Sequence, residues 1–188
     1  MTAPVQLARV SVVMQKTSLA NRWSSFRWEP VSVAVCRATD DDCDGNAHGA
    51  LHPDAARISR LPTAGSNAQW RFDNEPLELH RTEAEGYYLN LAAPDPKVFV
   101  MWRMLEPEAL MPGGPEAAPF VGTVSYNEAA RMLDGGEQVD AVPLPSDIRE
   151  WMEAFVQAHY KPEPRRKVRR RDPIADAGGG SAEDANRS

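Results

Sequence analysis

Residues 76–91 read PLELHRTEAEGYYLNL, and their alternation of apolar and polar side chains restricts the fold more than any other stretch. Leu77 and Leu79 alternate with Glu78 and His80, and Tyr87, Leu89 and Leu91 alternate with Tyr88 and Asn90. A side-chain period of two sends one set toward a core and the other toward solvent. The polar segment between them, residues 81–86, ends in Gly86, which tolerates the left-handed backbone of a turn. The pattern predicts an antiparallel β-hairpin whose outer face gathers Glu78, His80, Glu83, Glu85 and Tyr88. Superficially this is a general acid–base set. Mixed charges across an exposed antiparallel pair are ordinary cross-strand partners, however, and spacing alone does not supply the reach a catalytic base needs. The structural reading is preferred.

The remaining segments supply partners for such a hairpin. Residues 5–14 are apolar and β-branched, and residues 31–35 (VSVAV) alternate cleanly, so both are read as strands. Trp23, Phe26 and Trp28 between them are too large to leave in water without cause, which predicts a connection packed over the sheet. Residues 40–66 are polar and punctuated by glycine and proline, and are read as an excursion loop with a short helix at 54–59. Residues 97–104 (KVFVMWRM) are apolar on both faces, as in the centre of a sheet. The prolines and glycines of residues 106–119 exclude regular structure there, and a strand resumes at 120–124. Ser125 and Glu128 have capping-box spacing, which starts a helix running to about Leu133 before Gly135 and Gly136 stop it. Residues 139–144 are read as an edge strand because of Pro143. Ile148, Trp151, Met152, Phe155 and Val156 form the stripe of a final helix starting at Ser146 and ended by Pro162. The expected fold is α+β: a mostly antiparallel sheet with two C-terminal helices packed on it.

Length and composition fit one α+β domain over residues 1–160, with an irregular loop at 39–66, followed by a tail at 161–188. No secretion signal or apolar run of roughly 18 residues is present, so no membrane span and a soluble cytoplasmic protein are expected. Cys36 and Cys43, the only cysteines, suit a reducing compartment and exclude a disulfide scaffold. The net charge of −6 is unevenly distributed. The tail carries eight Lys or Arg against five Asp or Glu, which leaves −9 on the body. Its basic run, Arg165, Arg166, Lys167, Arg169, Arg170 and Arg171, is read as a disordered arm able to dock on an acidic partner, ahead of a Gly/Ser-rich end. The arm lacks aromatic residues for base stacking and the body repels phosphate, which argues against sequence-specific nucleic-acid binding.

Two metal patterns fall in the excursion loop. Asp40, Asp42, Asp44 and Gly45 have the alternating spacing of a calcium loop, but Leu51 stands where a closing glutamate is required. Cys36, Cys43, His48 and His52 supply thiols and imidazoles, but six residues separate the cysteines where a zinc site has two to four. Neither pattern is complete, and no metal or cofactor is predicted. There is no Walker A sequence, no G-x-G-x-x-G and no G-x-S-x-G. His159, near the end of the last helix, is assigned to packing or to the last carbonyls. A non-catalytic protein is expected.

The string at residues 76–91, with Asn21-Arg22-Trp23 and Trp28-x-Pro30, resembles an uncharacterised bacterial family, domain of unknown function 3305. The similarity covers residues 8–160 and includes Trp151, Phe155 and the His159-Tyr160 end, while the loop at 40–66 departs from it and the tail lies mostly outside. Genes of that family typically sit beside molybdenum- or tungsten-containing formate dehydrogenase and its maturation factors, so the resemblance implies an accessory role. Some members are labelled molybdopterin-guanine dinucleotide biosynthesis proteins, yet the glycine-rich nucleotide-binding start of such a transferase is missing here. The expected function is assembly or maturation of a formate dehydrogenase by protein–protein binding through His80, Arg81, Glu83, Glu85 and the basic arm. An enzyme or carrier acting on the molybdopterin cofactor through His80, Arg81 and Arg103 is the alternative, and a metal-binding regulator using the Asp/Cys/His loop is the third.

Overall fold

A computed structural model of the chain describes residues 6–20, 25–36, 57–63 and 67–161. Among the described residues seven strands form one mixed sheet: β1 (Gln6–Ser18), β2 (Phe26–Val35), β3 (Arg57–Leu61), β4 (Ala68–Leu79), β5 (Lys97–Met104), β6 (Ala117–Thr123) and β7 (Gln138–Pro143). Their order is β2-β1-β4-β6-β5-β7, with β3 also pairing on β4. Three α-helices complete the described fold: α1 (Ala84–Leu91), α2 (Tyr126–Asp134) and α3 (Ser146–His159). The sheet curls until its first and last strands lie side by side, a nearly closed barrel.

This corrects the expectation of a mostly antiparallel sheet with two C-terminal helices in two respects. First, β4 and β6 are parallel, meeting at Leu77 and Gly122. The antiparallel β5–β6 pair folds back so that its second strand, and not its first, docks on β4. Second, residues 84–91 are helix, so the hairpin does not exist. Ala84, Tyr87 and Asn90 are buried while Tyr88 and Leu89 are exposed, a helical spacing that the alternation of Tyr87, Leu89 and Leu91 conceals. A single 3-10 turn, Arg81–Glu83, leads into this helix.

Smaller departures have local causes. Of the helix expected at 54–59, residues 57–59 belong instead to β3, whose Arg57–Leu61 pairs with Asp73–Gln69 of β4, while residues 54–56 lie outside the described residues. The connection before residue 31 already belongs to β2 from Phe26, and Trp28 is buried against Trp70 at 5.1 Å between ring centroids. Within 106–119 the chain makes a 3-10 turn at Pro107–Ala109 and starts β6 at Ala117. Trp23 and most of the excursion loop lie outside the described residues, as do Pro162 and the arm.

Bulges bend the sheet into a barrel, because an extra residue on one strand breaks the ladder and increases twist. Between Val10 and Val12, β4 spends both Asp73 and Asn74 against Ser11, and Asn74 takes φ 67° there. A second shift faces Met14 with Pro30. A third, between Met101 and Trp102, leaves Phe120 of β6 outside the ladder. The concave face buries Val10, Val12, Met14, Trp28, Phe72, Leu77, Leu79, Val98, Val100 and Trp102, and α3 adds Ile148, Met152 and Phe155. His159 packs its ring 4.4 Å from that of Phe155, the packing role expected of it.

Candidate functional site

Tyr87 fixes where His80 sits. Its ring is fully buried against Phe155, and its hydroxyl accepts a hydrogen bond from the His80 backbone N–H at 3.0 Å. Burial pushes the Tyr87 pKa up to about 12; the bond from His80 opposes the rise, and the fields of Glu128, Glu83 and Glu78 add to it. The unfolded phenol loses its proton near pH 10, whereas the folded one holds it to about 12. Above pH 10 the unfolded state therefore binds fewer protons, and stability falls as pH rises through this window. Chemical denaturation from pH 8 upward should show this falling limb, at up to about 1.4 kcal/mol per pH unit. Tyr87→Phe should flatten it while losing about 1–2 kcal/mol at neutral pH, where the His80 N–H loses its acceptor. An unchanged limb in Tyr87→Phe would assign it to other groups.

The residues expected on a hairpin face are dispersed by the helix. His80 is half-buried, with Nε2 3.0 Å from Glu78 Oε2. Glu83 is held inward: Ser125 Oγ donates to its Oε2 at 2.7 Å and Arg131 to its Oε1 at 2.6 Å. Arg81 and Glu85 are exposed. Ser125 caps α2 as expected, accepting the Glu128 N–H at 3.1 Å, but the reciprocal half of the box is altered. Thr123 Oγ1 accepts the Ser125 N–H and donates to Glu128 Oε2 at 2.6 Å, so a hydroxyl stands between the cap and the carboxylate.

What the structure does bring together lies around Phe120. The bulge, with Pro119 beside it in the strand, turns Phe120 outward to 49% exposure next to half-exposed Val121. A cleft of about 230 Å³ joins these residues to Pro76, Glu78, His80, Gly122 and Glu128. On the other side the Arg103 guanidinium lies 5.4 Å from the Phe120 ring centre. Arg103 also donates from Nε to Glu137 at 3.0 Å and from Nη2 to the second carboxylate oxygen. Those bonds hold the Glu137 carboxyl below its ordinary range. His80 and Arg103 thus flank one exposed aromatic ring, with Glu78, Glu128 and Glu137 around it. An apolar centre with a charged rim is the pattern of a protein-binding patch.

A larger cleft, absent from the sequence reading, opens between β2 and β7. It measures about 660 Å³ and is lined by Leu19, Phe26, Trp28, Trp102 and Met104 together with Arg27, Glu116 and Asp140. The Trp102 indole N–H donates to Asp140 Oδ2 at 2.7 Å. The Trp28 indole N–H is buried without a hydrogen-bond partner, a state that costs about 1–3 kcal/mol. Lys16 bridges the rim, with Nζ 2.7 Å from Glu116 and 3.9 Å above the Phe26 ring centre. The signal in the sequence was Phe26 and Trp28, large rings needing cover, which did not name the strand across from them.

Among the described residues no group of three His, Cys, Asp or Glu side chains is placed to hold a metal. Asp40, Asp42, Asp44, Cys43, His48 and His52 lie outside them, as do Arg165, Arg166, Lys167, Arg169, Arg170 and Arg171, while Cys36 is half-buried with a free thiol. No described helix is long and apolar enough to cross a membrane. No curated protein and no solved structure matches the chain. One family does, described as "Protein of unknown function (DUF3305)", and its match spans residues 9–169, extending past residue 160 into the basic arm. With most of its length matched, from β1 through α3, the chain belongs to the DUF3305 family.

Proposed function

We propose that this protein is a non-catalytic accessory protein that assists assembly or maturation of a formate dehydrogenase by binding one of its subunits or maturation factors. The observation that carries the binding reading is Phe120, thrown outward by a bulge and ringed by His80, Glu78, Arg103 and Glu137. A large aromatic at the centre of a charged rim is the usual anchor of a protein interface. The dehydrogenase enters through the gene context that the family resemblance implies. The basic arm supplies a second contact, complementary to an acidic partner.

The test is affinity capture from cells making the dehydrogenase, using the full chain, a chain lacking residues 161–188, and Phe120→Ser. The full chain should enrich a dehydrogenase subunit or maturation factor, with a loss of about tenfold in Phe120→Ser, since a central aromatic is worth more than about 1 kcal/mol of binding. Phe120→Ser should keep its unfolding midpoint because the ring is half in water. Lack of enrichment with every chain, or equal enrichment by Phe120→Ser, overturns the reading.

A carrier of the molybdopterin cofactor is the second reading, favoured by the placement of His80 and Arg103 on either side of Phe120. Against it, Arg103 is already committed to Glu137 through two hydrogen bonds. Calorimetry separates the two, since an adaptor gives no saturable heat with the cofactor.

A further inference from the structure

We propose that the cleft beside Phe120 receives an arginine side chain of the partner protein, its guanidinium paired with the carboxylates of Glu78 and Glu128. The proposal rests on the reading of the Phe120 face as a protein-binding surface, and adds the chemistry that the partner must bring. Pro76, Phe120 and Val121 form the apolar wall of this cleft, and Glu78, His80 and Glu128 its polar wall. At about 230 Å³ it accepts one long side chain. Small-molecule and cofactor sites start near roughly 300 Å³.

The charge of that side chain follows from the partners the carboxylates already have. Glu78 Oε2 meets His80 Nε2 at 3.0 Å, and Glu128 Oε2 accepts the Thr123 hydroxyl at 2.6 Å. Among the described residues, the second oxygen of each carries no hydrogen bond and neither carboxylate meets a Lys or Arg. The nearby guanidinium groups are engaged elsewhere, Arg131 by Glu83 and Arg103 by Glu137. While the face is in water, the two open oxygens are hydrated. Once a partner covers Phe120 they lose that water, and a carboxylate left without replacement donors is costly. An aliphatic side chain supplies no donor, and a carboxylate or phosphate adds like charge. A guanidinium supplies five donors in one plane and stacks its face on an aromatic ring. Phe120 already holds one guanidinium, since Arg103 lies 5.4 Å from its ring centre with its charge met by Glu137.

Nα-acetyl-arginine methylamide is titrated into the isotope-labelled full-length protein and followed by backbone amide NMR. Its neutral isostere, Nα-acetyl-citrulline methylamide, and Nα-acetyl-lysine methylamide serve as comparisons. The arginine probe should shift the amides of residues 120–122 and 128 saturably, and both comparisons should bind at least about fivefold more weakly, the scale of one exposed charge pair. Glu78→Gln and Glu128→Gln should each weaken the arginine probe about fivefold. Glutamine keeps an oxygen for His80 or Thr123, so both variants should retain the parent unfolding midpoint. No shift, shifts confined to another face, equal affinity for citrulline or lysine, or full affinity in both variants overturns the proposal. Affinity capture separates it from the dehydrogenase reading. Capture of a dehydrogenase component by a chain that ignores arginine retains that reading and removes this one, whereas arginine binding without capture does the reverse.

Discussion

Gly86→Ala should lower the unfolding free energy by about 2–3 kcal/mol, measured by urea denaturation with an unchanged slope. Helix propensity alone argues the opposite sign, because alanine is favoured over glycine by about 1 kcal/mol in a helix interior. Contact geometry decides against propensity here. A Cβ on Gly86 falls 2.2 Å from Ser125 Oγ, 3.2 Å from its Cβ and 3.3 Å from the Asn127 nitrogen. Ser125 is fully buried and cannot swing into water. Its hydroxyl is also engaged on both sides, accepting from Glu128 N–H and donating to Glu83. Displacing it forfeits an N-cap worth about 1 kcal/mol and a hydrogen bond to a carboxylate worth about 1.5–3 kcal/mol. The double variant with Ser125→Ala isolates the cause. Once the hydroxyl is gone, Gly86→Ala should cost less than about 1 kcal/mol, so the two changes should be strongly non-additive. An equal cost in both backgrounds would show that the close approach to Ser125 is not what requires glycine.

Gly86 also shows why part of this fold was legible and part was not. Its need for a small side chain is visible in the sequence, but the reason differs: the chain requires close approach to α2, not left-handed backbone in a turn. Over eight residues, Tyr87 and Leu91 satisfy both the helical and the alternating template, so period cannot separate helix from strand. Once a hairpin is assumed, nothing demands a crossover, and the parallel contact of β4 with β6 is lost as well. By contrast β5, α2 and α3 were legible because their signals are local: an apolar run closed by a glutamate and proline, a serine cap with two glycines, and an apolar stripe spanning three turns. The candidate sites were hidden for the same physical reason. Phe120 is exposed by a bulge set by its partner strand, although Pro119 marks the irregularity. The cleft between β2 and β7 draws on residues 19, 25–28, 102, 104, 116, 138 and 140, which converge only when the sheet curls.

Asn90→Ala should have the larger effect, about 3–5 kcal/mol, because it strands several backbone groups at once. Asn90 is 2% exposed near the end of α1. Its amide nitrogen donates to the carbonyls of Lys97 at 2.7 Å and Val124 at 2.8 Å, and its oxygen accepts the Lys97 N–H at 3.0 Å. One side chain therefore ties α1 to the start of β5 and to the exit from β6, using both amide donors. Alanine leaves two carbonyls and one N–H short of partners in a site that water cannot enter without opening the packing. Asn90→Asp distinguishes lost hydrogen bonds from lost volume, since the shapes match but both donors are replaced by oxygen. At neutral pH it should be at least as damaging as alanine, because a carboxylate oxygen then faces two carbonyl oxygens in a low-dielectric site. Burial and those carbonyls favour the protonated acid in the folded state, so Asn90→Asp should gain stability relative to wild type on acidification, as protonation restores one donor. Thermal unfolding of the three proteins between pH 4 and 7 tests this. If Asn90→Asp tracks wild type across that range, the network does not hold α1 to the barrel, and packing of Tyr87 against Phe155 carries that junction instead.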